Sequence, residues 1–90
     1  MERLHVYVEG RVQGVGYRHG LLLEATRLGL NGWVRNLHDG RVEADLEGDR
    51  TVLALILEWC RRGPALARVT GVAEEWREAT GEYSSPEIRF

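Results

Sequence analysis

Apolar and polar residues alternate along three segments of the chain, which predicts three β-strands. The first is LHVYVEG, from Leu4 to Gly10, whose alternate side chains would point to a buried and an exposed face. The second and third are NGWVRNL and RVEADLE, and they flank the sequence HDG. Because Asp39 and Gly40 suit a tight turn that needs positive φ, we expect these two strands to form a hairpin.

Two further segments have apolar residues at helical spacing. One runs from Arg18 to Leu28 and is followed by Gly29, the residue type that commonly ends a helix. The other begins after Asp49, which suits a helix N-cap, and ends at Gly63–Pro64. The predicted buried face of this second helix holds Val52, Leu55, Ile56, Trp59 and Cys60.

The remaining segments predict two more strands and one long loop. ARVTGVAEEW predicts a fourth strand with a bulge near Thr70–Gly71, PEIRF a short last strand, and EATGEYSS the loop between them. The resulting order βαββαβ is typical of an α+β, ferredoxin-like sandwich, a mostly antiparallel sheet with two helices on one face and a short C-terminal strand. In that fold, strands one and two are parallel and strand three lies between them. We therefore expect Asn36, near the end of strand two, to lie roughly 10 Å from the loop after strand one.

Composition limits the classes of partner. Ninety residues with 43% hydrophobic content predict a single domain spanning residues 1–90. A net charge of -2 without basic runs gives no reason to expect nucleic acid or a membrane as partner. With Cys60 as the single cysteine and no apolar run of signal-peptide length, we expect a cytoplasmic protein. We also expect it to be a monomer. All 12 basic residues are arginines, which excludes a Schiff-base or P-loop lysine.

The segment GRVQGVGYRHG carries the candidate chemistry. Its glycines allow successive backbone N–H groups of Gln13, Gly14, Val15, Gly16, Tyr17 and Arg18 to point into one concavity at the start of a helix, where a phosphate would fit. Arg18 adds a planar fork of donors that stays charged. An arginine at a helix N-terminus opposes the helix dipole, and this favours a functional role over the alternative of a solvated residue in a tight connection.

VEGRVQGVGYR followed by LGLNGWVRNLHDGRVEADLEG resembles the acylphosphatases, enzymes that hydrolyse the carboxyl–phosphate bond of acyl phosphates, and the likeness extends through EWCRRGPALARVTGV. The resemblance implies a ferredoxin-like fold. It also implies that Arg18 binds the phosphoryl group and that Asn36 orients the attacking water. We expect inorganic phosphate, the product, to occupy the same loop and act as an inhibitor. Tyr17 stands where phenylalanine is usual, a change that we expect to matter little. Pro86 stands where the last strand commonly has an aromatic residue, which leaves the pairing of that strand open.

Other interpretations of the same residues remain. The loop could serve a non-catalytic anion-binding or acyl-phosphate-binding module, or an enzyme that prefers carbamoyl phosphate. A ferredoxin-like RNA binder would need aromatic residues on strands one and three, but RVEADLE offers acids instead. Expulsion of a carboxylate needs no protonation, so neither a metal nor another cofactor is expected.

Several polar or reactive residues have plainer interpretations. We expect Cys60 to fill the core, and Glu43 and Asp45 to lie on a solvated face. His19 and His38 flank the proposed edge without an assigned catalytic role, and His5 lies away from it.

Overall fold

The computed structural model describes all 90 residues, which form one layer of sheet and one layer of helices. The strands are β1 (Glu2–Arg11), β2 (Asn31–Asn36), β3 (Val42–Gly48), β4 (Arg68–Glu78) and β5 (Pro86–Ile88). The helices are α1 (Tyr17–Arg27) and α2 (Arg50–Arg62). This confirms the predicted ferredoxin-like α+β arrangement. Neither helix has the length and apolar character needed to cross a membrane.

The sheet has the strand order β4-β1-β3-β2-β5. Strands β1 and β2 are both antiparallel to β3, so they run parallel to each other with β3 between them, as predicted. The short strand β5 pairs in parallel with β2 at the edge of the sheet, where Pro86 lies opposite Gly32. An edge strand tolerates the missing N–H of proline, which resolves the pairing that the sequence left open.

Strand β4 contains the predicted bulge. Glu9 pairs with Gly71 and Gly10 pairs with Val69, so Thr70 is an extra residue on β4. The bulge lies where β1 leads into the glycine-rich loop, and it therefore marks the point at which regular pairing with β4 changes register.

Helix α1 ends as its sequence predicts. The N–H of Gly29 donates to the carbonyl of Thr26 and the N–H of Leu30 to that of Ala25, the pattern of a helix closed by a left-handed glycine. Helix α2 begins at the predicted N-cap Asp49, whose side chain nevertheless makes no capping hydrogen bond.

The buried face of α2 differs from the prediction. Leu53, Ile56, Leu57 and Cys60 are its buried residues, whereas Leu55 is 59% exposed. Cys60 is therefore in the core, as expected, and the predicted inclusion of Leu55 was wrong. Together with Val52 and Trp59, which pack partly against the core, this face lies on the sheet beside α1.

The expectation that Glu43 and Asp45 lie on a solvated face was also wrong. They are only 5% and 1% exposed, on the side of β3 opposite the helices. Arg35 Nε donates to Glu43 at 2.7 Å, and the hydroxyl of Tyr83, in the loop before β5, donates to Asp45 at 2.7 Å. The loop therefore covers a face that the alternating pattern alone would leave in water.

Candidate active site

One cavity lies at the edge of the sheet where β1 and β2 end. Its volume is about 150 Å³. The lining residues come from the β1–α1 connection, the start of α1, the end of β2 and the end of β5: Val12, Gly14, Gly16, Tyr17, Arg18, His19, Asn36 and Ile88. The predicted convergence of the glycine-rich loop with Asn36 is therefore present in the fold.

The glycine-rich loop presents unpaired backbone donors to this cavity. Gly14 and Gly16 have φ values of 75° and 81°, a left-handed conformation that side chains disfavour. Gly16 is also the N-cap of α1, which has no capping side chain and no acidic residue in its first turn. The N–H groups from Gly14 to His19 donate to no backbone or side-chain acceptor. An uncapped helix N-terminus next to a left-handed turn is an arrangement that binds anions.

Arg18 brings a positive charge without a partner. Most arginines of the chain form ion pairs with carboxylates, but Arg18 forms neither an ion pair nor a hydrogen bond with any protein group. Its guanidinium carbon lies 5.4 Å from the centre of the Phe90 ring. A guanidinium beside unpaired N–H groups makes the cavity electropositive.

Asn36 is the last residue of β2, and its side-chain oxygen is unusual. Oδ1 is buried, lies in a residue that lines the cavity, and has no hydrogen-bond partner in the protein. It is the one buried side-chain oxygen or nitrogen of which this is true. Because leaving a buried acceptor unpaired costs about 1–3 kcal/mol, such an atom calls for a ligand or a water molecule as donor.

Two residues of the predicted phosphate loop do not line the cavity. The side chain of Gln13 donates from Nε2 to the carbonyls of Leu37, at 2.7 Å, and Arg41, at 2.9 Å. These bonds tie the loop to the β2–β3 hairpin beside Asn36. Val15 packs against the hydrophobic core instead. The side chains of Gln13 and Val15 thus hold the loop in place, and only their backbone N–H groups are left for an anion.

The structure also gives Tyr17 a contact that the sequence analysis did not anticipate. Tyr17 is 1% exposed, and its hydroxyl donates to the carbonyl of Cys60 at 2.7 Å. In a continuing helix that carbonyl would accept the N–H of residue 64, but Pro64 has none. Pro64 is the sequence signal that could have revealed that the Cys60 carbonyl needs another donor. The expectation that Tyr17 matters little did not take this proline into account.

The other candidate residues lie in different parts of the structure, and only one of them lines the cavity. His19 lines the cavity and is exposed, whereas His38 lies in the hairpin turn and does not line it. His5 is on the opposite side of the sheet, between the carboxylates of Glu43 and Asp45. Burial raises the pKa of the Cys60 thiol to about 12. No cluster of three or more histidine, cysteine or acidic side chains is arranged to hold a metal ion.

Comparison with known proteins agrees with this geometry. The family model for acylphosphatase matches residues 4–88. An acylphosphatase of Anaeromyxobacter dehalogenans (strain 2CP-C) is 50% identical over 88 residues, 98% of this chain and 95% of that protein. One from Methylococcus capsulatus is 56% identical over 84 residues, 93% of this chain and 91% of the relative. The crystal structure of acylphosphatase from Bacillus subtilis superposes with a TM-score of 0.96 at 33% identity, and the match covers 100% of both chains.

Proposed function

The chain belongs to the acylphosphatase family, and we propose that it hydrolyses acyl phosphates in the cavity between the glycine-rich loop and Asn36. In this proposal Arg18 and the backbone N–H groups from Gln13 to Arg18 hold the phosphoryl group. Asn36 orients the attacking water. The products are a carboxylate and inorganic phosphate, and phosphate, which fits the same donors, inhibits the enzyme.

The unpaired Oδ1 of Asn36 is the observation that carries this proposal. An amide oxygen accepts hydrogen bonds, so it can hold a water molecule by one of its protons and leave the water oxygen facing the phosphorus. The phosphoryl group needs donors instead, and the same cavity supplies them from Arg18 and the start of α1. The cavity therefore combines an acceptor for the attacking water with donors for the phosphoryl group, and this combination supports the proposal.

The reaction needs little more from the protein. The water oxygen forms a bond to phosphorus while the bond between phosphorus and the acyl oxygen breaks, and the electron pair of that bond leaves with the carboxylate. The proton lost by water remains with the phosphate product or passes to solvent. Because a carboxylate is a stable leaving group, the protein has mainly to position water and stabilise the charge on the phosphoryl oxygens.

A nucleophilic side chain is not part of the proposal. Cys60 is buried away from the cavity lining, and a thiol with a pKa near 12 is not ionised at neutral pH. Water held by Asn36 is therefore the nucleophile that the arrangement favours. A non-catalytic phosphate-binding module would have the same donors, so hydrolysis itself must decide between the two.

The test compares Arg18→Ala and Asn36→Ala in the hydrolysis of acetyl phosphate and benzoyl phosphate. Removing one electrostatic donor or positioning group typically lowers the rate by roughly 10²- to 10³-fold, and we expect losses of that size in kcat/KM for both variants. Arg18→Lys should recover little, because a lysine lacks the planar fork. In Asn36→Ala the loss should fall on kcat while inhibition by phosphate is retained.

Two matched variants serve as controls. Arg11 lies in the same region without lining the cavity, and Asn31 lies at the opposite end of β2. Arg11→Ala and Asn31→Ala should keep kcat/KM within about threefold of wild type, since neither residue touches the proposed substrate.

Activity should also survive treatment with a chelator. The cavity lining provides hydrogen-bond donors for an anion but no carboxylate that could bind a metal ion. Near wild-type rates in Arg18→Ala, or a protein without hydrolytic activity, would refute the proposal.

A further inference from the structure

The end of the chain brings two apolar side chains to the cavity. Ile88 lines it, and the ring centre of Phe90 lies 5.4 Å from the guanidinium carbon of Arg18. The Phe90 side chain is 100% exposed, so it contributes nothing to the hydrophobic core. A large apolar ring held beside the proposed phosphoryl site and left in water is free to contact a ligand there.

The backbone holds this end of the chain in place. Ile88 pairs with Val34 in the sheet, and the N–H of Arg89 donates to the carbonyl of Val34 at 2.8 Å. Phe90 therefore follows directly after a residue that is hydrogen-bonded to the buried residue Val34 of β2. The Phe90 ring itself is not buried, and its contact with Arg18 is the one described above.

The size of the cavity limits which part of a substrate it can contain. A volume of about 150 Å³ is small beside the roughly 300–1,000 Å³ of pockets that hold drug-sized ligands. That is enough for a phosphoryl group, the attacking water and a small acyl group. A larger acyl group has to extend past the cavity edge, where Ile88 and Phe90 supply the apolar contacts.

We propose that Ile88 and Phe90 bind the acyl group and give the enzyme a preference for acyl phosphates with aromatic or other bulky apolar acyl groups. This inference rests on the proposed function, which places the phosphoryl group at Arg18. An aromatic acyl group would pack against the Phe90 ring and remove apolar surface of both from water. A contact of this kind changes affinity by roughly two- to tenfold.

The experiment measures kcat/KM for benzoyl phosphate and for acetyl phosphate in wild type, Phe90→Ala and Phe90→Trp. Phe90→Ala should lower the value for benzoyl phosphate by roughly two- to tenfold and leave that for acetyl phosphate within about twofold. Phe90→Trp keeps an aromatic ring and should retain the preference. Leu66→Ala removes an apolar side chain that is 75% exposed elsewhere on the surface, and it should change neither value.

The inhibition constant of inorganic phosphate separates acyl binding from an indirect effect on Arg18. It should be unchanged in Phe90→Ala, because phosphate has no acyl group. If both substrates lose the same factor, or if neither is affected, the inference is wrong while the proposed function stands. If the wild-type protein hydrolyses neither substrate, the proposed function fails and this inference fails with it.

Discussion

The hydroxyl group of Tyr17 connects the wall of the cavity to the end of helix α2. Its acceptor, the carbonyl of Cys60, lies in a part of the helix where Pro64 cannot supply the usual N–H donor. The same tyrosine packs its ring against Trp59, with the two ring centres 5.2 Å apart. One side chain thereby fixes the start of α1, which presents the unpaired N–H groups to the cavity, relative to α2.

Tyr17→Phe should therefore reduce stability. The ring and its packing remain, but the buried carbonyl of Cys60 loses its donor, at a cost of about 1–2 kcal/mol in the free energy of unfolding. For a domain of this size, that corresponds to a decrease in Tm of roughly 4–16 °C. Urea unfolding measured by circular dichroism provides the free energy directly. An unfolding free energy equal to that of wild type would show that the hydrogen bond contributes nothing.

Strand β3 carries the buried acids of the protein. Glu47 is 4% exposed and accepts three hydrogen bonds from the loop before β5: from the backbone N–H and hydroxyl of Thr80, at 2.6 and 3.0 Å, and from the N–H of Gly81, at 3.0 Å. Burial alone raises the pKa of this carboxyl, but the donors outweigh it, so the pKa lies below its ordinary value of 4.5. The ionised form of Glu47 thus helps to hold the loop on the sheet.

This contribution to stability should depend on pH. A carboxyl with a depressed pKa in the folded state stabilises the protein above the unfolded-state value, near 4.5. The stabilisation is lost as pH falls through the lower, folded-state value. Glu47→Gln should lower the unfolding free energy by about 1–3 kcal/mol at pH 7. The amide replaces one carboxylate oxygen by an NH₂ group, which would face the N–H and hydroxyl donors of Thr80 and Gly81 and could not accept their hydrogen bonds. The difference in unfolding free energy between wild type and Glu47→Gln should become smaller below pH 4.5.

Unfolding by urea between pH 7 and pH 3 tests this prediction. Glu78→Gln is the matched control, since Glu78 is exposed and forms no ion pair or side-chain hydrogen bond. The unfolding free energy of Glu78→Gln should equal that of wild type at every pH. A constant difference between Glu47→Gln and wild type across the whole range would contradict a role for the ionised carboxylate.

The elements show where sequence patterns suffice and where packing decides. Alternation located β1, β2 and β3, and the glycine after α1 located its end, because these features depend on local backbone geometry. The buried face of α2 was predicted incorrectly. Every residue in VLALILEWC except one glutamate is apolar, so periodicity cannot decide whether Leu53 or Leu55 is buried. The acids of β3 were misplaced because a loop distant in sequence covers them.

At the scale of the whole molecule, the fold assembles the candidate site from segments far apart in sequence. The loop after β1 and the end of β2 were predicted to meet, because the βαββαβ order makes these strands parallel with β3 between them. The approach of Ile88 and Phe90 was not predicted, since a three-residue edge strand containing proline leaves its partner and direction open. The unpaired state of Asn36 Oδ1 likewise depends on neighbours that only the folded chain defines.

The central claim is that this assembled cavity binds a phosphoryl group through Arg18 and holds water at Asn36. Phosphate-dependent thermal unfolding tests it without requiring the natural substrate. A ligand that binds only the folded state stabilises it by about 2.7 kcal/mol at a hundredfold excess over Kd, a rise in Tm of roughly 10 °C or more for a domain of this size. Sodium chloride at matched ionic strength corrects for general salt effects.

The measurement is a phosphate titration of Tm in wild type, Arg18→Ala, Asn36→Ala and Arg11→Ala. We predict a saturable rise in wild type that is largely lost in Arg18→Ala and retained in Asn36→Ala and Arg11→Ala. Retention in Asn36→Ala follows because that residue holds water and not the anion. Equal rises in wild type and Arg18→Ala would contradict the account, since phosphate would then bind without the arginine on which the proposed site depends.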